Sequence, residues 1–265
     1  GQTLTKAKQN YDGVVQCMSD IGFCLFAYTR GRFPVMEVVD LPLGYPSGVV
    51  ATKVANDVYN KFDPEELKDT EVMYLHAHGP GLLFTRKKPV KTMEDLKGVK
   101  IRSHGTSAKV VKALGGTPVA MPMPELYQAL QKGVVDGGLY PFEVNKGWKM
   151  AEVIDYATLD LPIAYTSTFY VVMNKDKWNS LPKDVQATIQ QINKEWIVKH
   201  GKAWDESDAA GKAFLLEKGG KIIPLPAEEG AKWKETVTPV IGEYAVAVEK
   251  KGLPGKELVT FTQKT

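Results

Sequence analysis

In "DLKGVKIRSHG", residues 95–105, an arginine closes a short buried-strand pattern: Val99 to Ile101 lead to Arg102, and His104-Gly105-Thr106 follows directly. A guanidinium is a rigid fork of donors that pairs bidentately with a carboxylate or phosphate and stays charged at any relevant pH. Free backbone N–H groups at a helix start near Thr106 would add a second attraction for anions. The chemistry this offers is anion capture. The plainer use of the same residue is a side chain that leaves the sheet edge for solvent or pairs with Asp95.

Other reactive side chains are sparse. His76 and His78 lie two apart in a strand pattern and share one face, which could suit a metal. No Cys, Asp or Glu stands nearby at a matching spacing, so one or both are expected to line a cleft and no metal is expected. His104 and His200 have no evident companion. Asp136, in "VVDGG", reads as a carboxylate capping backbone N–H groups in a turn. There is no G-x-S-x-G elbow, no phosphate-binding G-x-x-x-x-G-K-[ST] loop and no G-x-G-x-x-G after a strand, so neither a catalytic residue nor a cofactor is expected. Aromatic residues gather where strands end: Phe26 and Tyr28, Tyr140 and Phe142, Phe169 and Tyr170, with Trp148 close behind. Together they could wall a cleft. Cys17 and Cys24 flank "MSDIGF"; extended residues separate them beyond the roughly 7 Å limit for a bridge, and both read as small buried hydrophobes.

The elements that must position these groups follow from periodicity. Residues 4–18 have helical spacing, 20–25 read as a short buried strand, 49–62 as a second amphipathic helix and 71–78 as another strand. A β-α-β-α-β rhythm then runs through strand 99–103, helix 107–114, strand 117–121, helix 124–132 and strand 134–140. Thr106 or Ser107 can cap its first helix, glycines stop both helices, and a mostly parallel sheet is expected. Strand 167–174 precedes a helical stretch over 183–218, about 36 residues or roughly 54 Å, longer than one small domain is wide. Strand 221–225 and a helix over 227–250 complete the pattern. Ligands of open α/β sheets bind beyond the C-terminal strand ends, and Arg102 sits at one.

The 265 residues are 43% hydrophobic and 25% charged, an ordinary globular balance. Lys and Arg number 34 against 31 Asp and Glu, a net charge of +3, and the basic residues are scattered. Neither nucleic acid nor a membrane surface is therefore expected as a partner. The longest uncharged apolar run, around Phe169 to Met173, is far short of the roughly 20 residues that span a bilayer. The start of the chain lacks a basic segment followed by an apolar one, so no secretory signal is read there. No repeat or composition shift marks a boundary, which suits two α/β lobes joined by several crossing segments.

Three blocks, "TMEDLKGVKIRS", "ALGGTPVAMPMPELYQALQKGVVDG" and "YVVMNKDKWNSLPKDVQATIQ", resemble in order, spacing and wording the solute-binding subunit of tripartite ATP-independent periplasmic (TRAP) transporters. The likeness is strongest over about Val90 to Gln190 and extends weakly over nearly the whole chain. It implies a two-lobed periplasmic-binding-protein-like α/β fold with mixed sheets, an interlobe cleft, hinge closure and a long helix spanning both lobes. Lobe I would comprise 1–79 plus about 168–207, and lobe II 80–167 plus about 208–265. It also implies a periplasmic location and membrane subunits of a TRAP transporter as partners. The family's carboxylate-binding arginine lies in a G-x-K-x-R block, which Arg102 matches. Relatives often carry asparagine shortly after the "VVDG" turn where this chain has Tyr140, which shifts the expected ligand toward an aromatic or branched acid. Family chains usually open with a strand, a helix and another strand before a segment like "GQTLTKAKQNYDGVV", so about 40 residues are expected to be missing before Gly1. Cys17 stands where relatives commonly have glycine.

The expectation is a binding protein that captures a small organic acid through Arg102, with Tyr140, Phe26, Tyr28, His78, and Thr168 or Phe169 as further lining residues. Two rivals differ in kind. The capture protein of an ATP-driven importer would share the architecture but lack the "GVVDG" and "MNKDKW" wording in this order. An α/β enzyme acting on carboxylates would use Asp136 or Glu143 as base.

Overall fold

The computed structural model describes residues 3–159 and 161–265; Gly1, Gln2 and Asp160, which the lobe ranges above include, lie outside the described residues. The helical spacing over 4–18 yields a 3-10 turn and only a short helix, α1 (Asn10–Val15). It stops because Cys17 takes a left-handed backbone, φ 60°. Cys17 N–H then reaches back to Val14 O and Met18 N–H to Gly13 O, the paired bonds of a Schellman ending. That conformation is one glycine adopts without strain, which accounts physically for the glycine of relatives. It also corrects the cysteine expectation: Cys17 is exposed, Cys24 is half-buried, and both are free thiols.

The strands and helices then follow in order as β1 (Ile21–Leu25), α2 (Gly48–Phe62), β2 (Thr70–Ala77), β3 (Leu82–Thr85), β4 (Lys100–Ser103), α3 (Gly105–Ala113), β5 (Thr117–Ala120), α4 (Met123–Gln131), β6 (Gly137–Tyr140) and α5 (Glu143–Gly147). After these come β7 (Tyr156–Leu159), β8 (Thr168–Asn174), α6 (Lys175–Ser180), α7 (Lys183–Glu217), β9 (Lys221–Pro224), α8 (Ala227–Val237), α9 (Pro239–Glu249) and α10 (Gly255–Lys264). Five of these escape the periodicity, among them the short helices α5 and α6. β3 and β7 are runs of only four residues, with no clean alternation to mark them. α10 lies beyond the helical pattern over 227–250. That pattern is itself two helices, because Pro239 lacks the N–H an interior position would donate and instead opens α9.

Two sheets result. One has three antiparallel strands in the order β1-β8-β2; the other has six in the order β5-β4-β6-β3-β7-β9. In the larger sheet β4 pairs in parallel with β5 and β6, and β7 with β9, while β3 runs antiparallel to both β6 and β7. The parallel expectation therefore holds for the β-α-β-α-β unit, and β3 makes the sheet mixed. Each sheet has its own apolar core. Phe84, Ile101, Leu126, Leu139, Leu215 and Trp233 pack in the second lobe. Val14, Met36, Leu75, Tyr170 and Val172 pack in the first, together with Tyr244, Val248 and Leu258. Helices α9 and α10 thus return to the first lobe, contrary to the expectation that 208–265 stays with the second.

α7, 35 residues long, is a strut of about 52 Å that touches both lobes. Gly201 sits against the backbone of Gly48 and Val49 at the start of α2, and the Asp205 carboxylate accepts the Gly48 N–H. Ten residues on, Gly211 lies against the carbonyl of Phe142, and Asp208 Oδ1 accepts the Glu143 N–H at 2.7 Å. Two further segments cross between the lobes and pair with each other, Gly81 N–H donating to Tyr165 O at 2.7 Å.

Candidate ligand-binding cleft

β4 carries Arg102 to its C-terminal end, where the side chain is fully buried. Nε donates to Met121 O at 3.0 Å, Nη1 to Leu139 O at 3.3 Å and Nη2 to the Tyr28 hydroxyl at 3.3 Å. These acceptors are neutral, and Arg102 forms no salt bridge with any carboxylate among the described residues. Asp95, its simplest candidate partner, accepts the Lys91 and Thr92 N–H groups instead. The Tyr28 oxygen also accepts the Met123 N–H at 3.0 Å, so its own proton is free to point elsewhere. Tyr140, pinned by Phe84 stacked 4.2 Å away, has a buried hydroxyl with no protein partner. Burial holds that phenol well above its ordinary range, so it stays a donor.

The guanidinium opens on a cavity of about 300 Å³ between the lobes, at the small end of ligand pockets. Tyr28, His78 and Phe169 wall it together with Arg102 and Tyr140, so five of the seven residues named from the sequence meet there. Burial first, and the charge of Arg102 second, push His104 well below its usual range; burial likewise brings His78 down to about 4, with Arg102 a lesser contributor. At neutral pH both rings are therefore uncharged, and Arg102 supplies the cleft's positive charge.

Two expected lining residues lie elsewhere. Phe26 and Tyr28 would share a face on a strand, but Phe26–Tyr28 is a 3-10 turn, which turns residues two apart to different sides. Phe26 packs into the first core against Phe33 and Tyr170, at ring separations of 4.8 and 5.2 Å. Along β8 ordinary alternation sends Phe169 to the cavity and Thr168 inward. Thr168 is fully buried and gives both its N–H, at 2.9 Å, and its hydroxyl, at 3.1 Å, to Asp40 Oδ1.

Burial raises the Asp40 carboxyl to about 8, against the Thr168 bonds that favour its charged form. A carboxyl raised on folding stabilises most below its unfolded value, 3.8, and that contribution is lost as pH climbs toward 8. Asp40→Asn fixes a neutral group that still accepts from Thr168. Its stability relative to wild type should rise with pH between about 5 and 8, by up to about 1.4 kcal/mol per unit. Urea melts at several pH values check this, and a constant difference would refute it.

Several groups in the cleft were not legible beforehand. His104, with no evident companion in the sequence, lines the cavity as the residue before α3. The capping expectation shifts accordingly: Ser107 Oγ accepts the His104 N–H at 3.1 Å from inside the first turn. His200 also has a companion, stacking on His76 with ring centres 3.6 Å apart. His76 lies beneath the wall and accepts from Trp204 Nε1 at 2.9 Å, which fixes that indole at the cavity. Trp204, Tyr165 and Phe23 join only through the crossing helix, the crossing strands and β1, none of which places them locally. Asp136 accepts the Lys100 N–H at 2.9 Å, tying two strands together rather than capping its glycines. Among the described residues no three His, Cys, Asp or Glu side chains are grouped to hold a metal.

Two α/β lobes joined by crossing segments around an aromatic cleft, with a buried arginine in its wall, have the architecture of a cleft-type solute-binding protein. Residues 2–247 match the family described as bacterial extracellular solute-binding protein, family 7 (DctP), and the chain belongs to that family. That description is of solute-binding proteins and lends no support to the rival reading with Asp136 or Glu143 as a catalytic base. Among curated relatives, the C4-dicarboxylate-binding periplasmic protein DctP of Rhodobacter capsulatus is 32% identical over 215 residues, 79% of this chain and 63% of the relative, so the match spans less than two thirds of that protein. A TRAP solute binding protein of Rhodoferax ferrireducens, crystallised with copurified benzoate, superposes with a TM-score of 0.92 at 31% identity, covering 99% of this chain and 83% of the other. A marine metagenome TRAP solute binding protein specific for aromatic acid ligands, in complex with metahydroxyphenylacetate, gives a TM-score of 0.93 at 29% identity, covering 98% and 83%.

Proposed function

We propose that this chain captures a small aromatic carboxylate in the periplasm and delivers it to the membrane subunits of a TRAP transporter. The observation that carries the reading is Arg102: a fully buried guanidinium with only neutral protein partners. A charge taken out of water without a counter-charge costs several kcal/mol, and a ligand carboxylate offsets that cost with two parallel hydrogen bonds. The free Tyr28 proton and the Tyr140 hydroxyl lie beside it as further donors.

The rest of the wall sets the shape of the acid. Phe23, Phe169 and Trp204 form a stacked series, with ring centres 5.3 and 5.4 Å apart between neighbours. Flat aromatic faces favour a flat ligand, and structural neighbours hold benzoate and metahydroxyphenylacetate. Tyr28 and Phe169 come from one lobe, Arg102 and Tyr140 from the other, so a bound acid stabilises the closed arrangement that α7 and the paired crossing strands permit.

A melting screen tests this directly. Benzoate or a close analogue at about 100 times its dissociation constant should add about 2.7 kcal/mol, roughly 5–10 °C in Tm for a chain of this size. A rise only with sugar acids or dicarboxylates would overturn the aromatic reading, and no rise with any carboxylate from a cooperatively melting protein would overturn the acid reading.

A further inference from the structure

Arg102 satisfies one end of a bound acid; Glu143, at the start of α5, forms another part of the same cavity wall. The two arrive on different elements. Arg102 is held by the Met121 and Leu139 carbonyls and Tyr28, whereas Glu143 is held through its backbone N–H by Asp208 of α7. The Glu143 side chain folds over Gly147 one turn on, where a Cβ would collide with Oε1, so the absence of a side chain at 147 keeps that course open. Burial raises the Glu143 carboxyl above the usual range, and among the described residues no protein group donates a hydrogen bond to it. The cavity therefore has two separate poles, a cation and an acceptor without a donor.

An unpaired carboxyl in the wall of an acid-binding cavity repels a ligand that is acidic and otherwise apolar. It becomes favourable once the ligand brings a donor to it, because a partly desolvated acceptor left unpaired carries a penalty that the donor removes. Resting on the aromatic-acid reading above, we propose that Glu143 is a specificity residue that selects acids carrying a hydroxyl or amino donor on the ring, remote from the carboxylate.

The test is calorimetry with benzoate, 3- and 4-hydroxybenzoate and 3- and 4-methoxybenzoate on wild type, Glu143→Gln, Glu143→Met and Arg102→Ala. The methoxy compounds keep the oxygen and remove the donor. Wild type should bind its better hydroxy acid about 10- to 100-fold more tightly than the matching methoxy acid, as expected for a hydrogen bond to a charged group. Glu143→Gln should shrink that ratio and Glu143→Met should bring it within threefold of unity. A wild-type ratio within threefold of unity, or a ratio unchanged in both variants, overturns the assignment of Glu143. Benzoate binding that fails in wild type, or that ignores Arg102→Ala, overturns the aromatic-acid reading itself, so the two failures are distinguishable. Glu143→Gln, close in size and shape, serves if Glu143→Met melts early.

Discussion

Arg102→Ala lowers affinity for the cognate acid by about 2 to 5 kcal/mol, some 30-fold or more, because the ligand carboxylate is then buried without its partner. Arg102→Lys recovers only part of this, since an ammonium is a point charge without the planar fork. The three contacts that aim the guanidinium, to Met121 O, Leu139 O and the Tyr28 hydroxyl, are shaped for arginine alone. Calorimetry on the folded variants reads the effect. Binding by Arg102→Ala within threefold of wild type would show that the carboxylate sits elsewhere.

The second large effect is on the frame. Gly211→Ala should destabilise the protein even though alanine is the better helix former by about 1 kcal/mol. A Cβ at 211 meets the Phe142 carbonyl and the Glu143 backbone, which cannot swing aside as a side chain would. Overpacking of this kind costs about 1 to 3 kcal/mol, so the loss outweighs the gain, and a larger residue such as leucine should do more harm. Gly242→Ala in α9 is the matched control: it is exposed, nothing lies within 4 Å of its added Cβ, and its φ is not left-handed. There propensity alone acts and stability should rise by about 0.5 to 1 kcal/mol. Thermal melts of both variants decide the matter. A stabilised Gly211→Ala would mean that α7 is not pressed against Phe142.

Why Arg102 was legible and Phe26 was not comes down to how far each signal reaches along the chain. A strand ending in a charged residue just before a helix start is local, and β4, Arg102 and α3 lie close to where periodicity puts them. Along β8 alternation separates Thr168 from Phe169, but which of the two faces the cavity is decided by the sheet's place in the fold. Phe26 depends on whether a strand continues or coils into a 3-10 turn, a difference of one residue that reverses the face. Trp204 and Tyr165 depend on tertiary crossings: a 35-residue helix and two paired segments bring together residues that no local pattern connects. Cys17 shows the converse, since its left-handed backbone explains a residue preference that spacing could not interpret.

The place of β8 in the first lobe governs the order in which the molecule can assemble. β8 lies between β1 and β2, so that Ile21 waits for Met173 and Thr70 for Asn174. The core over that sheet then needs Tyr244 and Leu258 from the far end of the chain. The β4-α3-β5-α4-β6 unit of the second lobe, by contrast, closes from neighbouring segments, although its core is completed only by Leu215 and Trp233. Because entropy charges long closures before their contacts reward them, the first lobe forms last and slowly. A chain released from synthesis or translocation in pieces therefore holds its N-terminal third unfolded until nearly all of it has arrived.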